Sequence, residues 1–70
     1  MENYLTIFIN GKPFNCEHSM TLRNILSYLN FNIKNIIIEY NKEIINEIYF
    51  DSLILKNHDH LEIITIVGGG

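Results

Sequence analysis

The chain has one cysteine, one proline, and no tryptophan, alanine or glutamine. The cysteine count is the most restrictive of these. A lone Cys16 has no partner for an internal disulfide, and no second cysteine exists to build a metal knuckle, so the usage fits a reducing compartment. Basic residues are also few: five Lys and Arg against eight Asp and Glu give a net charge of -3. Without a basic cluster the electrostatic footprint of nucleic-acid binding is missing, and nucleic acid is not expected as a partner. No stretch approaches the roughly 18 apolar residues of a membrane span. Met1-Glu2-Asn3 also lacks the basic region and apolar run that open a secretion signal. No membrane association is expected, and the expected location is the cytoplasm, or the plastid stroma for a plastid-encoded chain. The missing Ala, Gln and Trp, set beside abundant Ile and Asn, read as AT-rich coding, which bears on origin and not on mechanism.

What is present describes a folded unit. Seventy residues, 47% hydrophobic and 19% charged, form one small domain of a size that buries only about 60% of its unfolded surface. That is too little to enclose a multi-substrate active site, but the composition is not that of a disordered chain. Abundant isoleucine favours strands.

Hydrophobic period then orders the elements. Tyr4 to Ile9 alternates, with Leu5, Ile7 and Ile9 on the better core face. Asn10-Gly11 is a type I′ hairpin signal, and Pro13 confines the following strand, Lys12 to Cys16, to an edge or to its first ladder position. The period changes at Thr21: Leu22, Ile25, Leu26 and Leu29 make one helical stripe. Thr21 is the expected N-cap with Ser19 competing, Met20 is placed to staple onto Ile25, and Asn30 is suited to the exit. A third strand, Ile36 to Tyr40, points Ile36, Ile38 and Tyr40 inward and Ile37 outward with Glu39. Asn41-Lys42 is a second turn, and Glu43 to Ile45 a short fourth strand. From Asn46 to Leu55 the signal is weak: Tyr49 and Phe50 are expected to cap the core, and Asp51-Ser52 to start a helical turn. Lys56 to Asp59 reads as a tight turn. His60 to Val67 is a last strand with Leu61 and Ile63 inward and Glu62, Ile64 and Ile66 outward. The order β-β-α-β-β-β predicts an α+β domain over residues 1–67, one helix lying across a mixed sheet. A glycine tail, 68–70, follows.

Three groups of residues invite chemistry. Gly68-Gly69-Gly70 cannot pack a core, yet a run without side chains can thread a narrow channel, and Val67 leads into it directly. A terminal carboxylate at Gly70, with an ordinary pKa of about 3.3–3.7, is ionised at neutral pH and can attack the α-phosphate of ATP. The chain holds no phosphate-binding loop, so ATP must be bound by another protein. Phe8, Ile37, Ile64 and Ile66 are expected on the sheet face away from the helix, where such a sheet is normally polar, and an apolar patch there reads as a docking site. His58 with His60 falls short of a zinc ligand set. Cys16 with His18 lacks an orienting third group and an oxyanion pocket. These are read as solvated turn histidines and a small buried side chain, and no metal site is expected.

Taken together, Ile7-Phe8-Ile9-Asn10-Gly11-Lys12, Thr21-Leu22, Asn41-Lys42-Glu43-Ile44-Ile45, Asp59 with Leu61-Glu62-Ile63, and Val67-Gly68-Gly69-Gly70 resemble the ThiS family of sulfur carriers in thiamine biosynthesis across essentially the whole chain. The resemblance implies the β-grasp, ubiquitin-like fold. It also implies a carrier that binds no cofactor and is not itself an enzyme. The Gly70 carboxylate would be adenylated by a ThiF-type enzyme using ATP, with Gly69 sharing the threading role and Gly68 as an extension found in some members. It would then become a thiocarboxylate, with sulfur from cysteine through a desulfurase or persulfide, and donate to a ThiG-type thiazole synthase. His58 departs from the pattern, because many relatives carry Gly in that turn. The small subunit of molybdopterin synthase, typically longer and often with Pro before its glycines, and a ubiquitin-like protein modifier are the alternatives. An interaction domain with an inert tail is a third.

Overall fold

A computed structural model describes residues 4–66. Five strands, β1 (Tyr4–Ile9), β2 (Lys12–Glu17), β3 (Ile36–Tyr40), β4 (Glu43–Ile45) and β5 (His60–Thr65), form one sheet in the order β2-β1-β5-β3-β4. Among the described residues β1 and β5 run parallel and the other neighbours antiparallel. One helix, α1 (Leu22–Tyr28), follows the first hairpin, and its stripe packs on one face of the sheet. This is the β-grasp architecture, with the last strand at its centre.

Both hairpins turn where the sequence places them. Asn10 and Gly11 have φ of 51° and 83°, and Asn41 and Lys42 have 49° and 75°, the positive pair that a type I′ turn requires. Pro13 sits on the edge strand opposite Phe8. Phe8 sends its N–H to the Asp59 carbonyl on the other side, at 2.8 Å, so the Phe8–Pro13 pair is a non-bonded one. The missing Pro13 N–H therefore falls on the free edge, where it removes a donor that another strand could use.

The helix begins at Thr21, which caps it in a reciprocal box: the Thr21 hydroxyl accepts from the Asn24 N–H, and the Asn24 side chain accepts from the Thr21 N–H. Ser19 takes no part in the cap and instead adopts a positive φ of 69°. Leu22, Ile25 and Leu26 are fully buried against Ile7, Ile38 and Leu61, each side chain contributing about 1.5–3 kcal/mol by leaving water. Met20 and Leu29 pack at the margins of the same core. Asn30, at φ 64°, turns the chain out of the helix.

The segment after β4 departs from expectation in two ways. Its helical turn is a 3₁₀ turn over Glu47–Tyr49, upstream of Asp51-Ser52, started by Asn46, whose side-chain oxygen accepts from the Ile48 N–H. Phe50 is buried, but Tyr49 is 55% exposed, so only the phenylalanine closes the core. The path has a separate purpose. The first helical N–H groups, at Leu22 and Arg23, have no partner within the helix, and they donate to the carbonyls of Leu53 and Phe50 at 2.8 and 3.0 Å. Leu55 returns an N–H to the Met20 carbonyl, and Ile54 bridges Thr21. Residues 50–55 thus form the floor on which the helix N-terminus stands. The Arg23–Asp51 ion pair beside it is exposed and adds little, about 0.2–1 kcal/mol.

Candidate functional site

β5 is held on both flanks by side chains from hairpin turns. On the β1 side Asn10 sends its backbone N–H to the Leu61 carbonyl, and its side-chain oxygen accepts from the Ile63 N–H at 2.7 Å. Its Nδ2 lies 3.4 Å from the Ile63 carbonyl. On the β3 side Asn41 exchanges backbone and side-chain bonds with His60 at 2.8 Å each. Each asparagine continues a ladder past the end of its strand.

A buried carboxylate fixes the entry to β5. Asp59, 7% exposed, accepts from the Tyr40 hydroxyl and the Lys56 N–H on Oδ2, both at 2.7 Å, and from Asn41 Nδ2 on Oδ1 at 3.2 Å. Burial, the hydrogen bond to this carboxylate and its charge together push the Tyr40 hydroxyl up to about 12. The 56–59 turn also carries His58 at φ 69°, the left-handed conformation that favours glycine.

The outward face of the sheet carries the expected apolar residues in two separate places. Ile37 and Ile64 lie directly opposite each other across β3 and β5; they are 38% and 47% exposed, and Ile66, next on that face, is 49% exposed. Ile66 donates its N–H to the Asn35 carbonyl at 2.7 Å. Phe8 pairs with His60 instead, two register steps away, and stacks on its ring with centroids 4.7 Å apart. Between these groups lies the row of Glu39 opposite Glu62. Ile44, 71% exposed, lies opposite Glu39 on β4, at the edge of that row. Ile44 is not among the residues expected on this face, although a two-residue hairpin at Asn41-Lys42 pairs it with Glu39.

The remaining candidates are placed apart. Cys16 is buried on the inner face of β2, where burial, and secondarily the charge of Asp59, raise its thiol pKa; such a thiol is a poor nucleophile. His18 lies exposed beyond the end of β2. His58 and His60 both flank Phe8. Among the described residues no group of three or more His, Cys, Asp or Glu is arranged to hold a metal ion, and no helix is long and apolar enough to cross a membrane. Val67, Gly68, Gly69 and Gly70 lie outside the described residues.

Comparison with known proteins agrees with this architecture. The ycf40 protein of Porphyra purpurea is 47% identical over 66 residues, 94% of this chain and 93% of that one. A thiazole synthase of Magnetococcus marinus is 30% identical over 66 residues, which make up 94% of this chain and 20% of that protein. The crystal structure of a thiamine biosynthesis protein, ThiS, from Geobacter metallireducens superposes with a TM-score of 0.81 at 28% identity, covering 94% of this chain and all of that one. The family model described as the ThiS family matches residues 7–70, and the chain belongs to that family.

Proposed function

We propose that this chain is a sulfur carrier for thiazole formation in thiamine biosynthesis, and that the carboxylate of Gly70 is the group that carries the sulfur. The observation that carries this reading is the family match, which runs through the sheet and on to residue 70, so that Gly68, Gly69 and Gly70 fall within it. The match to a fifth of a thiazole synthase supports the partnership, since there a domain of this kind is part of the polypeptide named for the reaction that would consume the sulfur.

In the proposed cycle an oxygen of the Gly70 carboxylate attacks the α-phosphorus of ATP held by a ThiF-type adenylating enzyme. A C–O–P bond forms and pyrophosphate leaves. A persulfide sulfur, originating from cysteine through a desulfurase, then attacks the carbonyl carbon and expels AMP. Cleavage of the S–S bond by a second thiol leaves the thiocarboxylate and a disulfide, and the thiazole synthase takes the sulfur. The domain supplies no catalytic group. It is a co-substrate: Gly69 and Gly68 thread the enzyme's channel, Val67 joins them to the sheet, and the outward face around Ile37, Ile64 and Ile66, with Phe8 at its far end, docks the partner. The proposed compartment is the cytoplasm or the plastid stroma.

The test is chain-dependent exchange of pyrophosphate into ATP by the cognate adenylating enzyme. The wild-type chain is expected to support exchange and a chain lacking Gly69-Gly70 to support none. Ile64→Glu is expected to raise the concentration needed for half-maximal exchange while the circular dichroism spectrum stays native. Exchange by the truncated chain would overturn the role of Gly70, and an unchanged half-maximal concentration for Ile64→Glu would overturn the docking face.

A further inference from the structure

The β1–β2 turn reaches the strand that leads to the tail. β1 ends at Ile9, so the parallel β1–β5 ladder should stop at the last registered pair, Ile9 with Leu61. It does not. The Asn10 backbone N–H takes the Leu61 carbonyl, and the Asn10 side-chain amide then stands in for a further strand residue by accepting from the Ile63 N–H at 2.7 Å. Glycine serves the same turn geometry as well as asparagine does, so the turn alone does not account for a side chain aimed across it. Beyond Ile63 the β3 flank stays paired through Ile37–Ile64 and Ile36–Thr65, and Ile66 then bonds Asn35; on the β1 flank no described contact lies past Asn10. The end of β5 is therefore held along its β3 side by a continuous ladder and on its β1 side, past Leu61, by Asn10.

We propose that Asn10 is a positioning residue for the C-terminal glycines: by clamping β5 at Ile63 it fixes the line along which the chain leaves the sheet and enters a partner's channel. This rests on the reading that Gly70 is the working group. Docking by the outward isoleucines does not involve Asn10, so the clamp acts on the step after binding. A small misplacement of a reacting group lowers the rate of that step without weakening the encounter.

The experiment compares Asn10→Gly, Asn10→Asp and Asn41→Gly as full-length chains in the adenylation assay, with amide exchange followed in parallel by nuclear magnetic resonance. Asn41 is the matched control, because it sits in the same turn type and grips β5 at His60, at the strand's entry. In Asn10→Gly the Ile63 amide is expected to exchange much faster and kcat to fall about tenfold or more with KM nearly unchanged. Asn10→Asp keeps the acceptor and tolerates positive φ, so both quantities should lie between Asn10→Gly and wild type. Asn41→Gly should lose thermal stability yet keep kcat at assay temperatures where it is folded. An unchanged kcat in Asn10→Gly, an effect on KM alone, or an equal loss in Asn41→Gly would overturn the positioning role while leaving the carrier reading in place. Absence of adenylation in the wild-type chain would bring down the carrier reading and this inference with it.

Discussion

Replacing Asp59 tests whether one carboxylate organises the entry to the central strand. It is buried and takes three donors: the Tyr40 hydroxyl, the Lys56 N–H and Asn41 Nδ2. Hydrogen bonds to a charged group are each worth about 1.5–3 kcal/mol net. Three bonds on one node do not add independently, so about 3 kcal/mol is a lower figure for Asp59→Ala, from two bonds at the weak end. Asp59→Asn is gentler. With its oxygen at the Oδ2 position it keeps Tyr40 and Lys56, while its NH₂ faces that of Asn41. Asn41 cannot turn over without giving up the His60 N–H. One lost bond and one donor–donor contact cost about 1–2 kcal/mol. In a domain this small each kcal/mol moves Tm by about 4–8 °C, so urea and thermal unfolding followed by far-ultraviolet circular dichroism resolve all three proteins. Asp59→Asn within about 0.5 kcal/mol of wild type, or Asp59→Ala no worse than Asp59→Asn, would refute the reasoning.

Other consequences are independent of that one. Tyr40 titrates at about 12 in the folded chain against an ordinary 10.0; the folded state thus holds its proton more tightly than the unfolded state. The stabilisation is fully present below pH 10 and is lost as pH rises through 12, and Tyr40→Phe should flatten that alkaline fall in unfolding free energy. His58→Gly relieves a left-handed residue at φ 69°; relief of strain worth about 1–2 kcal/mol, less the larger unfolded-state entropy of glycine, should raise Tm by a few degrees, and a lower Tm would count against strain there. Ile38→Ala, at a site 1% exposed, should cost about 2–5 kcal/mol in urea unfolding. Cys16 should resist alkylation until the chain unfolds, and Cys16→Ser should transfer sulfur at the wild-type rate; rapid native labelling would contradict its burial.

The parts of the fold legible in the sequence were those written in short range. The Leu5-Ile7-Ile9 alternation, the Leu22-Ile25-Leu26-Leu29 stripe, the Thr21 cap and the two turns at Asn10 and Asn41 each depend on neighbours a few residues away. Residues 46–55 carry a weak sequence signal because much of their work is done by backbone carbonyls: Leu53 and Phe50 satisfy the helix N-terminus, and a carbonyl leaves no side-chain signature. The reach of Asn10 to Ile63 was equally invisible, as it spans the chain and looks locally like any hairpin asparagine. Asparagine abundance, which reads as a coding bias, turns out to be put to structural use: Asn24, Asn32, Asn46 and Asn57 each accept a backbone N–H. Alternation puts Phe8, Ile37 and Ile64 on the outward face, but the division of that face depends on the parallel register that sets Phe8 beside His60 and leaves the Glu39–Glu62 row before Ile37 and Ile64. Alternation alone assigns a face and not a register.

The central claim is that Gly70 carries sulfur, and intact-mass measurement of the full-length chain tests it most directly. After incubation with the cognate adenylating enzyme, ATP and a persulfide donor, the account predicts a species in which one oxygen has been replaced by sulfur, with fragmentation placing the change at Gly70. An unchanged mass under conditions where the enzyme is active on the chain, or sulfur located at Cys16 instead, would contradict it.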